Sequence, residues 1–134
     1  MPKYLLDTNI CIYIMKRTPE QVALRVDRCL LGEVVMSSIT YAELEYGVLC
    51  AEDPAEAKEQ LDILVKAVPV VSFDAAAATA YGPIRLATKE RKKDLMDKLI
   101  AAHAVALRVT VVTNNVDDFK VYPGVKIENW VEAN

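Results

Sequence analysis

Two hydrophobic patterns alternate along the chain. Short, almost uninterrupted apolar runs predict strands that are buried on both faces of a sheet. Between them, apolar residues recur every three or four positions, which predicts amphipathic helices. The strands are expected at residues 3–7, 34–36, 68–71, 110–113 and 125–127. The helices are expected to begin near residues 8, 19, 41, 54, 74 and 95.

Strands that alternate with helices predict a parallel sheet covered on both faces. We therefore expect an α/β fold with three layers (α/β/α) and a mostly parallel sheet of about five strands, formed by residues 1–134 as a single domain. Pro69 places the third strand near a sheet edge, because proline cannot donate a hydrogen bond to a neighbouring strand. Gly82–Pro83 should kink the helix that contains it.

Composition and charge narrow the class of protein. Hydrophobic residues make up 53% of the chain, so a folded core is expected. The formal net charge of -3 provides no global positive field, so any site for a polyanion must be a local patch. No apolar run approaches the roughly 20 residues of a membrane span, and we expect no membrane association. Three cysteines without a close pair argue against a zinc knuckle or a disulfide framework, and favour reduced thiols in a cytoplasmic protein.

Polar side chains follow the predicted strands where each strand ends. Asp7 directly follows the first strand, Glu43 lies in the first turn after the second, and Asn115 follows the fourth. The carboxyl ends of parallel strands meet at one edge of the sheet, where ligands bind in open α/β folds. We therefore expect these side chains to converge. Glu45 is an alternative to Glu43, but the two point about 200° apart around a helix, so only one can face the site.

Asp97 lies near the start of a helix that is apolar nearly all round. Ile100, Ala101 and Ala104 share its face. An unpaired carboxylate is costly there and requires a cation, of which the helix N-terminus supplies only part. We favour a metal-binding or catalytic role over a salt bridge to a distant lysine or arginine. Asp94, one turn earlier, either assists Asp97 or caps the helix.

Structural roles compete with these interpretations. Aspartate is favoured at helix N-caps, so Asp7 could cap the helix that follows it. Thr40 and Glu43 have the spacing of a capping box, and Asn114–Asn115 is a favourable turn pair. His103, the only histidine, points away from the acidic face of its helix, and we expect it to be structural or exposed.

A dense basic stretch leads into Asp97. Its residues are Lys89, Arg91, Lys92 and Lys93, with Lys98 beyond. Such clusters are most often solvated helix ends that the helix dipole favours. Beside a group of acids, however, positive charge is also what a polyanionic substrate would contact.

Carboxylates gathered at a sheet edge predict a site for a hard divalent cation such as Mg²⁺, which takes oxygen ligands and retains several waters. Such an ion can activate a water and neutralise charge on a phosphoryl group. The sequence therefore predicts hydrolysis of phosphodiester bonds in a nucleic acid. Nothing in these residues separates RNA from DNA.

Four segments together resemble the PIN-domain ribonucleases, and specifically the VapC toxins of bacterial toxin–antitoxin pairs. Their order and the chain length match over essentially the whole chain. One segment would be weak evidence, but four in order are highly specific. They are residues 5–12 (LLDTNICI), 37–47 (SSITYAELEYG), 97–104 (DKLIAAHA) and 111–115 (VVTNN) with Phe119.

The resemblance implies a PIN-like fold and Mg²⁺- or Mn²⁺-dependent cleavage of structured RNA, often tRNA. It also implies a homodimer, and a cognate VapB-type antitoxin whose C-terminal segment covers the active site. By position, it implies that the catalytic residues are Asp7, Glu43, Asp97 and Asn115, and that Asp7 and Asp97 bind the metal.

Around this set we predict supporting and RNA-binding residues. Supporting roles are assigned to Thr8, Asp94, Thr113 and Asp117, and RNA binding to Arg91, Lys92, Lys93 and Lys98. The fourth acidic position of the family commonly holds an aspartate and here holds Asn115, which leaves the role of a second metal ion open. The alternative hypothesis is a catalytically weak PIN-fold module that binds RNA or a partner.

Overall fold

The computed structural model describes residues 1–132, and residues 133 and 134 of the predicted domain lie outside this range. Within it, five strands form, namely β1 (Tyr4–Leu6), β2 (Val34–Ser37), β3 (Val70–Val71), β4 (Thr110–Val112) and β5 (Lys126–Glu128). The helices of the same range are α1 (Thr8–Lys16), α2 (Glu20–Asp27), α3 (Ser38–Cys50), α4 (Pro54–Ala67), α5 (Ala75–Ala87), α6 (Leu95–Leu107) and α7 (Val116–Phe119).

The five strands form one parallel sheet in the order β3-β2-β1-β4-β5. Strand β1 is central, and Leu6 pairs in register with Met36 of β2 and with Val112 of β4. The residues that follow these strands therefore emerge at one edge of the sheet. The predicted α/β fold is confirmed, and the proline-flanked β3 is an edge strand as expected.

Two hydrophobic cores lie on opposite faces of the sheet, because neighbouring residues of a strand point to opposite sides. Leu6 belongs to the core that is covered by α1, α2, α3 and α4. Leu5 belongs to the core that is covered by α5, α6 and α7. Both leucines are fully buried, as a strand between two helical layers requires.

Several predicted boundaries differ from the structure. The helix expected over residues 19–31 ends at Asp27, and Leu30 and Leu31 are exposed, so burial does not extend the helix to them. The third helix begins at Ser38, three residues earlier than expected, because Ser37 and not Thr40 caps it. The short helix α7 was not predicted, since four residues are too few to reveal a period.

The sequence also predicts a kink at Pro83 and no membrane-spanning helix. Pro83 lies inside α5, which continues to Ala87, and the kink there stays a prediction. In the range that the structure describes, the helices are too short or too polar to cross a membrane.

Candidate active site at the carboxyl edge of the sheet

Asp7 lies at the junction of β1 and α1, and its two carboxylate oxygens have different partners. Oδ1 accepts a hydrogen bond of 3.0 Å from the Ile10 backbone N–H, which makes Asp7 the N-cap of α1. Oδ2 accepts one of 2.5 Å from the hydroxyl of Thr113, just after β4. The capping role and a place at the sheet edge are therefore compatible. Asp7 is only 4% exposed, so little of the carboxylate is left to water.

Thr113 is the link between the two central strands at this edge. Its side chain is fully buried, donates to Asp7, and accepts a hydrogen bond of 2.9 Å from the Asn115 backbone N–H. One hydroxyl thus fixes the direction of the Asp7 carboxylate and shapes the turn after β4. The structure thus places Thr113 beside Asp7, and its supporting role in the site stays a prediction.

Glu43 is directed toward the same edge by Thr8. The Thr8 hydroxyl donates a hydrogen bond of 2.6 Å to Glu43 Oε1, and it lies 3.4 Å from the hydroxyl of Thr40. The predicted capping box between Thr40 and Glu43 is wrong, because Thr40 is buried two residues inside α3 and Ser37 accepts the capping bond. Glu45, the alternative acid, instead pairs with Lys58 at 2.8 Å.

Asp97 lies in the first turn of α6 and is partly buried. Burial raises the pKa of its carboxyl to about 6, and the negative charge of Asp7 is the next largest cause. Asp118, Asp94 and Glu43 raise it further. The carboxyl groups of Asp97, Asp7 and Glu43 therefore share one electrostatic environment, although they come from three distant segments.

The three acids give the site a negative charge, and the residues that the structure describes form no ion pair that would neutralise it. Burial also raises the pKa of Asp7, despite the hydrogen bonds that favour its ionised form, and Glu43 adds to the shift. Across residues 1–132, no lysine or arginine forms an ion pair with Asp7, Glu43 or Asp97. Acids in this state favour a bound cation or a proton.

The carboxylates are near one another but are not packed into one tight ligand shell. Within the described range, no three His, Cys, Asp or Glu side chains lie close enough to coordinate a single ion together. The arrangement therefore does not match three carboxylates that bind one ion directly. It fits an ion that takes one or two carboxylates and completes its shell with water, as Mg²⁺ usually does.

Asn115 is exposed and precedes α7, which it caps without a side-chain hydrogen bond. It borders an open depression of about 410 Å³ with Asn114 and Asp118. No hydrogen bond of the described chain joins the Asn115 side chain to the three carboxylates. Its catalytic role stays a prediction.

Of the two acids in α7, the structure favours Asp118 over the predicted Asp117. Asp117 points to solvent, with its side chain 91% exposed, and pairs with Lys120 at 2.8 Å. Asp118 contributes to the raised pKa of Asp97 and lines a cleft of about 480 Å³ with it. Neighbouring residues of a helix point about 100° apart, so only one of the pair can face the cleft.

Lys98 is buried, and its predicted contact with RNA is corrected by the structure. Its ammonium group lies 3.1 Å from Asp94 Oδ1, 3.1 Å from the Thr88 carbonyl oxygen and 2.6 Å from the Arg91 carbonyl oxygen. Only 5% of the residue is exposed. Lys98 therefore ties the loop between α5 and α6 to the start of α6.

Asp94 is likewise part of this internal network. Besides Lys98, its carboxylate accepts a hydrogen bond of 2.6 Å from the Tyr122 hydroxyl and lies 3.5 Å from Arg91 Nε. Burial opposes its ionisation, but Tyr122 and Lys98 outweigh burial and lower the pKa of Asp94. The residue anchors the loop and forms no side-chain cap on α6.

The other basic residues that are predicted to bind RNA differ in how firmly protein contacts hold their side chains. Arg91 donates to the Asp118 backbone carbonyl at 2.9 Å and stacks over the Tyr122 ring at 5.5 Å, so its guanidinium is largely held by the protein. Lys92 and Lys93 are exposed and line the cleft beside Asp97, with no ion pair in the described part of the chain. They are the two basic candidates that are available to a substrate.

His103 is a core residue, which selects the structural of the two expected roles. It is 1% exposed, its Nδ1 lies 2.8 Å from Ser37 Oγ, and its ring contacts Phe73 edge to face at 5.4 Å. Burial lowers its pKa, so the ring is held neutral.

Three features of the site escaped sequence reasoning. These are the Thr40 hydroxyl near Thr8, the anchoring role of Lys98, and Arg85 of α5 beside the basic loop. The sequence around a buried polar residue in a helix says little about its hydrogen-bond partner, because that partner comes from another segment. The helical spacing of Tyr81 and Arg85 does place them on one face of α5, which was a usable signal.

The chain is similar to known proteins over almost its whole length. A family model for the PIN domain matches residues 4–125. The chain is 37% identical over 132 residues to the tRNA(fMet)-specific endonuclease VapC of Shigella flexneri, covering 97% of this chain and 99% of that protein. It is 36% identical over 132 residues to Ribonuclease VapC2 of Rickettsia felis, covering 95% and 97%. It is similar to the crystal structure of DNA-bound VapBC from Salmonella typhimurium, with a TM-score of 0.88, 36% identity, and 97% and 99% of the two chains covered.

Proposed function

The chain belongs to the PIN domain family and, within it, to the VapC ribonucleases, and from this premise we propose that it is the endoribonuclease toxin of a toxin–antitoxin pair. The proposed reaction is metal-dependent hydrolysis of a phosphodiester bond in structured RNA. The first candidate substrate is tRNA(fMet), because two similar proteins are named as endonucleases specific for it. We expect the protein to act in the cytoplasm, where tRNA is found.

One observation carries this proposal. Three acids from distant segments share one electrostatic environment, and within residues 1–132 none of them has a basic partner. A protein that used Asp97 only for stability would pair it with a cation, as Asp94 is paired with Lys98. Leaving the pocket negative favours binding of an external cation.

We propose Asp7 and Asp97 as the metal ligands and Mg²⁺ or Mn²⁺ as the metal. Carboxylate oxygens are the donors that these hard ions prefer. When bound, the ion would supply positive charge to the phosphate and lower the pKa of a coordinated water. The Thr113 hydroxyl orients one Asp7 oxygen, as partners outside the ligand shell commonly do.

Glu43 is proposed to take a proton from the attacking water. The hydrogen bond from Thr8 fixes one carboxylate oxygen, Oε1, and leaves the other free to accept that proton. Attack forms a new bond between phosphorus and the water oxygen and breaks the bond to the leaving ribose oxygen, which takes up a proton from solvent water. Lys92 and Lys93 lie along the cleft beside Asp97, where they can contact phosphates of the substrate.

A VapB-type antitoxin and a second copy of the chain are the proposed protein partners. Similar chains were solved in complexes that are described as VapBC. Tyr46 and Leu49 of α3 and Ile63 of α4 are 70%, 76% and 68% exposed, which is unusual for large apolar side chains on two packed helices. The mass of the purified chain by light scattering, alone and with its co-expressed antitoxin, tests both associations.

The proposal is tested by cleavage of a tRNA(fMet) transcript with the purified chain. Cleavage should require Mg²⁺ or Mn²⁺, stop with EDTA, and be lost in the Asp7→Asn and Asp97→Asn variants. Glu59→Gln, which removes an exposed carboxylate from α4, is the matched control and should cleave normally. Cleavage that persists in both aspartate variants, or in EDTA, would overturn the proposal. Binding without cleavage by the wild-type chain would favour the weak RNA-binding module instead.

A further inference from the structure

A second depression lies beside the loop between α5 and α6, and Asp97 does not line it. It has a volume of about 310 Å³. Its wall is formed by one face of α5 and by the loop, and we call it the basic pocket. It is lined by Tyr81, Arg85, Lys89, Arg91, Lys92, Asp94, Leu95 and Lys98.

The basic pocket carries a large local excess of positive charge. Arg85, Lys89 and Lys92 are exposed, and in the described part of the chain none of them forms an ion pair. Among residues 1–132, Asp94 is the one acid that lines the pocket, and Lys98 pairs with it at 3.1 Å. The whole chain, by contrast, has a net charge of -3. Like charges gathered in a concave surface repel one another and attract an anion.

The helix dipole does not account for this arrangement. It favours a cation in the last turn of α5, which explains Arg85. Lys89 and Lys92 lie beyond the end of α5. The helix dipole therefore explains neither their positive charges nor the concave shape of the surface that they line. Lys98 holds the carbonyl oxygens of Thr88 and Arg91, so the loop that presents these lysines is fixed in advance.

Lys92 connects the basic pocket to the acidic site. It lines both the basic pocket and the cleft that contains Asp97 and Asp118. A strand whose phosphate lies at Asp97 can therefore continue across Lys92 into the basic pocket. The acidic side repels phosphates unless a cation is bound, whereas the basic pocket attracts them without one.

We propose that the basic pocket is a second phosphate-binding site, which holds the RNA backbone at nucleotides outside the cleavage position. The identity of the polyanion as RNA rests on the proposed function. Arg85 and Lys89 are its central residues, because neither forms an ion pair within residues 1–132 and neither lines the cleft at Asp97. RNA binding through this site does not depend on the metal.

The test measures binding of labelled tRNA(fMet) transcript to the full chain in EDTA, where no cleavage occurs, across a series of salt concentrations. The Arg85→Gln/Lys89→Gln variant should bind about five- to tenfold more weakly near physiological salt. The slope of log K against log salt should fall by about 1.4 to 1.8, at roughly 0.7 to 0.9 for each lost phosphate contact. Lys16→Gln/Lys66→Gln removes two exposed cations from other helices, and is the charge-matched control.

Cleavage assays with Mg²⁺ then distinguish the role of the basic pocket from that of the acidic site. For the full transcript, the double variant should raise KM about as much as it weakens binding, with kcat unchanged. A short fragment that carries only the cleavage position should be cut equally by the variant and the wild type.

Equal affinity and equal salt dependence in the variant and the wild type would overturn the pocket. The proposal would also fail if the control variant lost as much RNA affinity as the double variant. It would fail too if the double variant lost as much cleavage of the short fragment as of the full transcript. If the wild-type chain binds RNA through this pocket and never cuts it, the proposed function fails while the pocket stands.

Discussion

The Thr8 hydroxyl donates a 2.6 Å hydrogen bond to Glu43 Oε1 across 35 residues of sequence. Thr8 begins the helix after β1, and Glu43 lies in the helix after β2. The bond therefore joins two neighbouring crossovers at the carboxyl edge of the sheet. It fixes the direction of the Glu43 carboxylate without neutralising its charge.

Removing this hydroxyl should impair cleavage more than stability. Thr8→Val keeps the shape of the side chain but frees Glu43 to rotate, and we expect cleavage to fall about ten- to a hundredfold. The melting temperature should change little, because the bond is partly exposed. Thr8→Ser keeps the hydroxyl and should retain most of the activity. Equal activity in the valine and serine variants would show that the bond does not orient Glu43.

Asp97→Asn should abolish cleavage and stabilise the metal-free protein. A neutral amide cannot replace a metal-binding carboxylate, so cleavage should fall at least about a hundredfold. Without metal, the same substitution removes a partly buried charge that Asp7 and Asp118 repel, so the melting temperature at neutral pH should rise. Added Mg²⁺ should raise the melting temperature of the wild type and not that of the variant. A variant that melts below the wild type in EDTA contradicts this account.

The contribution of Asp97 to the stability of the metal-free chain should fall as pH rises from about 4 to about 6. The pKa of Asp97 is raised from 3.8 to about 6 in the fold, so between these values the folded chain binds more protons than the unfolded chain. The Asp97 contribution to the free energy of unfolding then decreases with rising pH, and the loss is complete above the folded pKa of Asp97. Urea denaturation in EDTA across this range should show the stability of Asp97→Asn rising relative to that of the wild type as pH increases, because the variant lacks this titration.

Breaking the pair between Lys98 and Asp94 should destabilise the fold strongly. Their side chains are 6% and 9% exposed, so Lys98→Met leaves a buried carboxylate without its main cation. We expect a loss of about 3–5 kcal/mol in the free energy of unfolding. Adding Asp94→Asn to Lys98→Met should cost less than the sum of the two single changes, because they share one interaction. Strict additivity in denaturation measurements would show that the two side chains are not coupled.

Asn115→Asp should strengthen metal binding at the site. A fourth carboxylate supplies another hard oxygen ligand, so the Mg²⁺ concentration for half-maximal cleavage should fall several-fold. Asn115 is exposed, so neither this change nor Asn115→Ala should alter the melting temperature beyond about 1–2 °C. If Asn115→Ala and Asn115→Asp both leave the metal requirement unchanged, the residue takes no part in the site.

The sequence predicted the sheet and the place of Asp7 at its edge, for a physical reason. Short apolar runs report burial on both faces, and an acid directly after such a run must emerge at the sheet edge, as Asp7 does. Asp97 was recognisable because a charged group on an apolar helix face needs an explanation. In each case the signal lies within one local segment.

The errors concern contacts between distant segments. Lys98 was assigned to the surface because its neighbours in the chain are basic, but its partners are two loop carbonyls and Asp94. Glu43 was matched with Thr40 by spacing, whereas its partner is Thr8. Asp117 is the predicted supporting residue, whereas Asp118 lines the cleft with Asp97, since the orientation of a four-residue helix is set by tertiary packing.

Asp97 and Lys98 are adjacent in the chain, but one faces the cleft and the other the interior. If production of the chain arrests growth, a selection for surviving cells should recover lesions at both codons, with opposite cellular fates. Substitutions at Asp97 should leave abundant, inactive protein that can still bind the antitoxin. Substitutions at Lys98 should leave little protein, because quality-control proteases remove the unfolded chain. Growth at a lower temperature should restore toxicity to these variants.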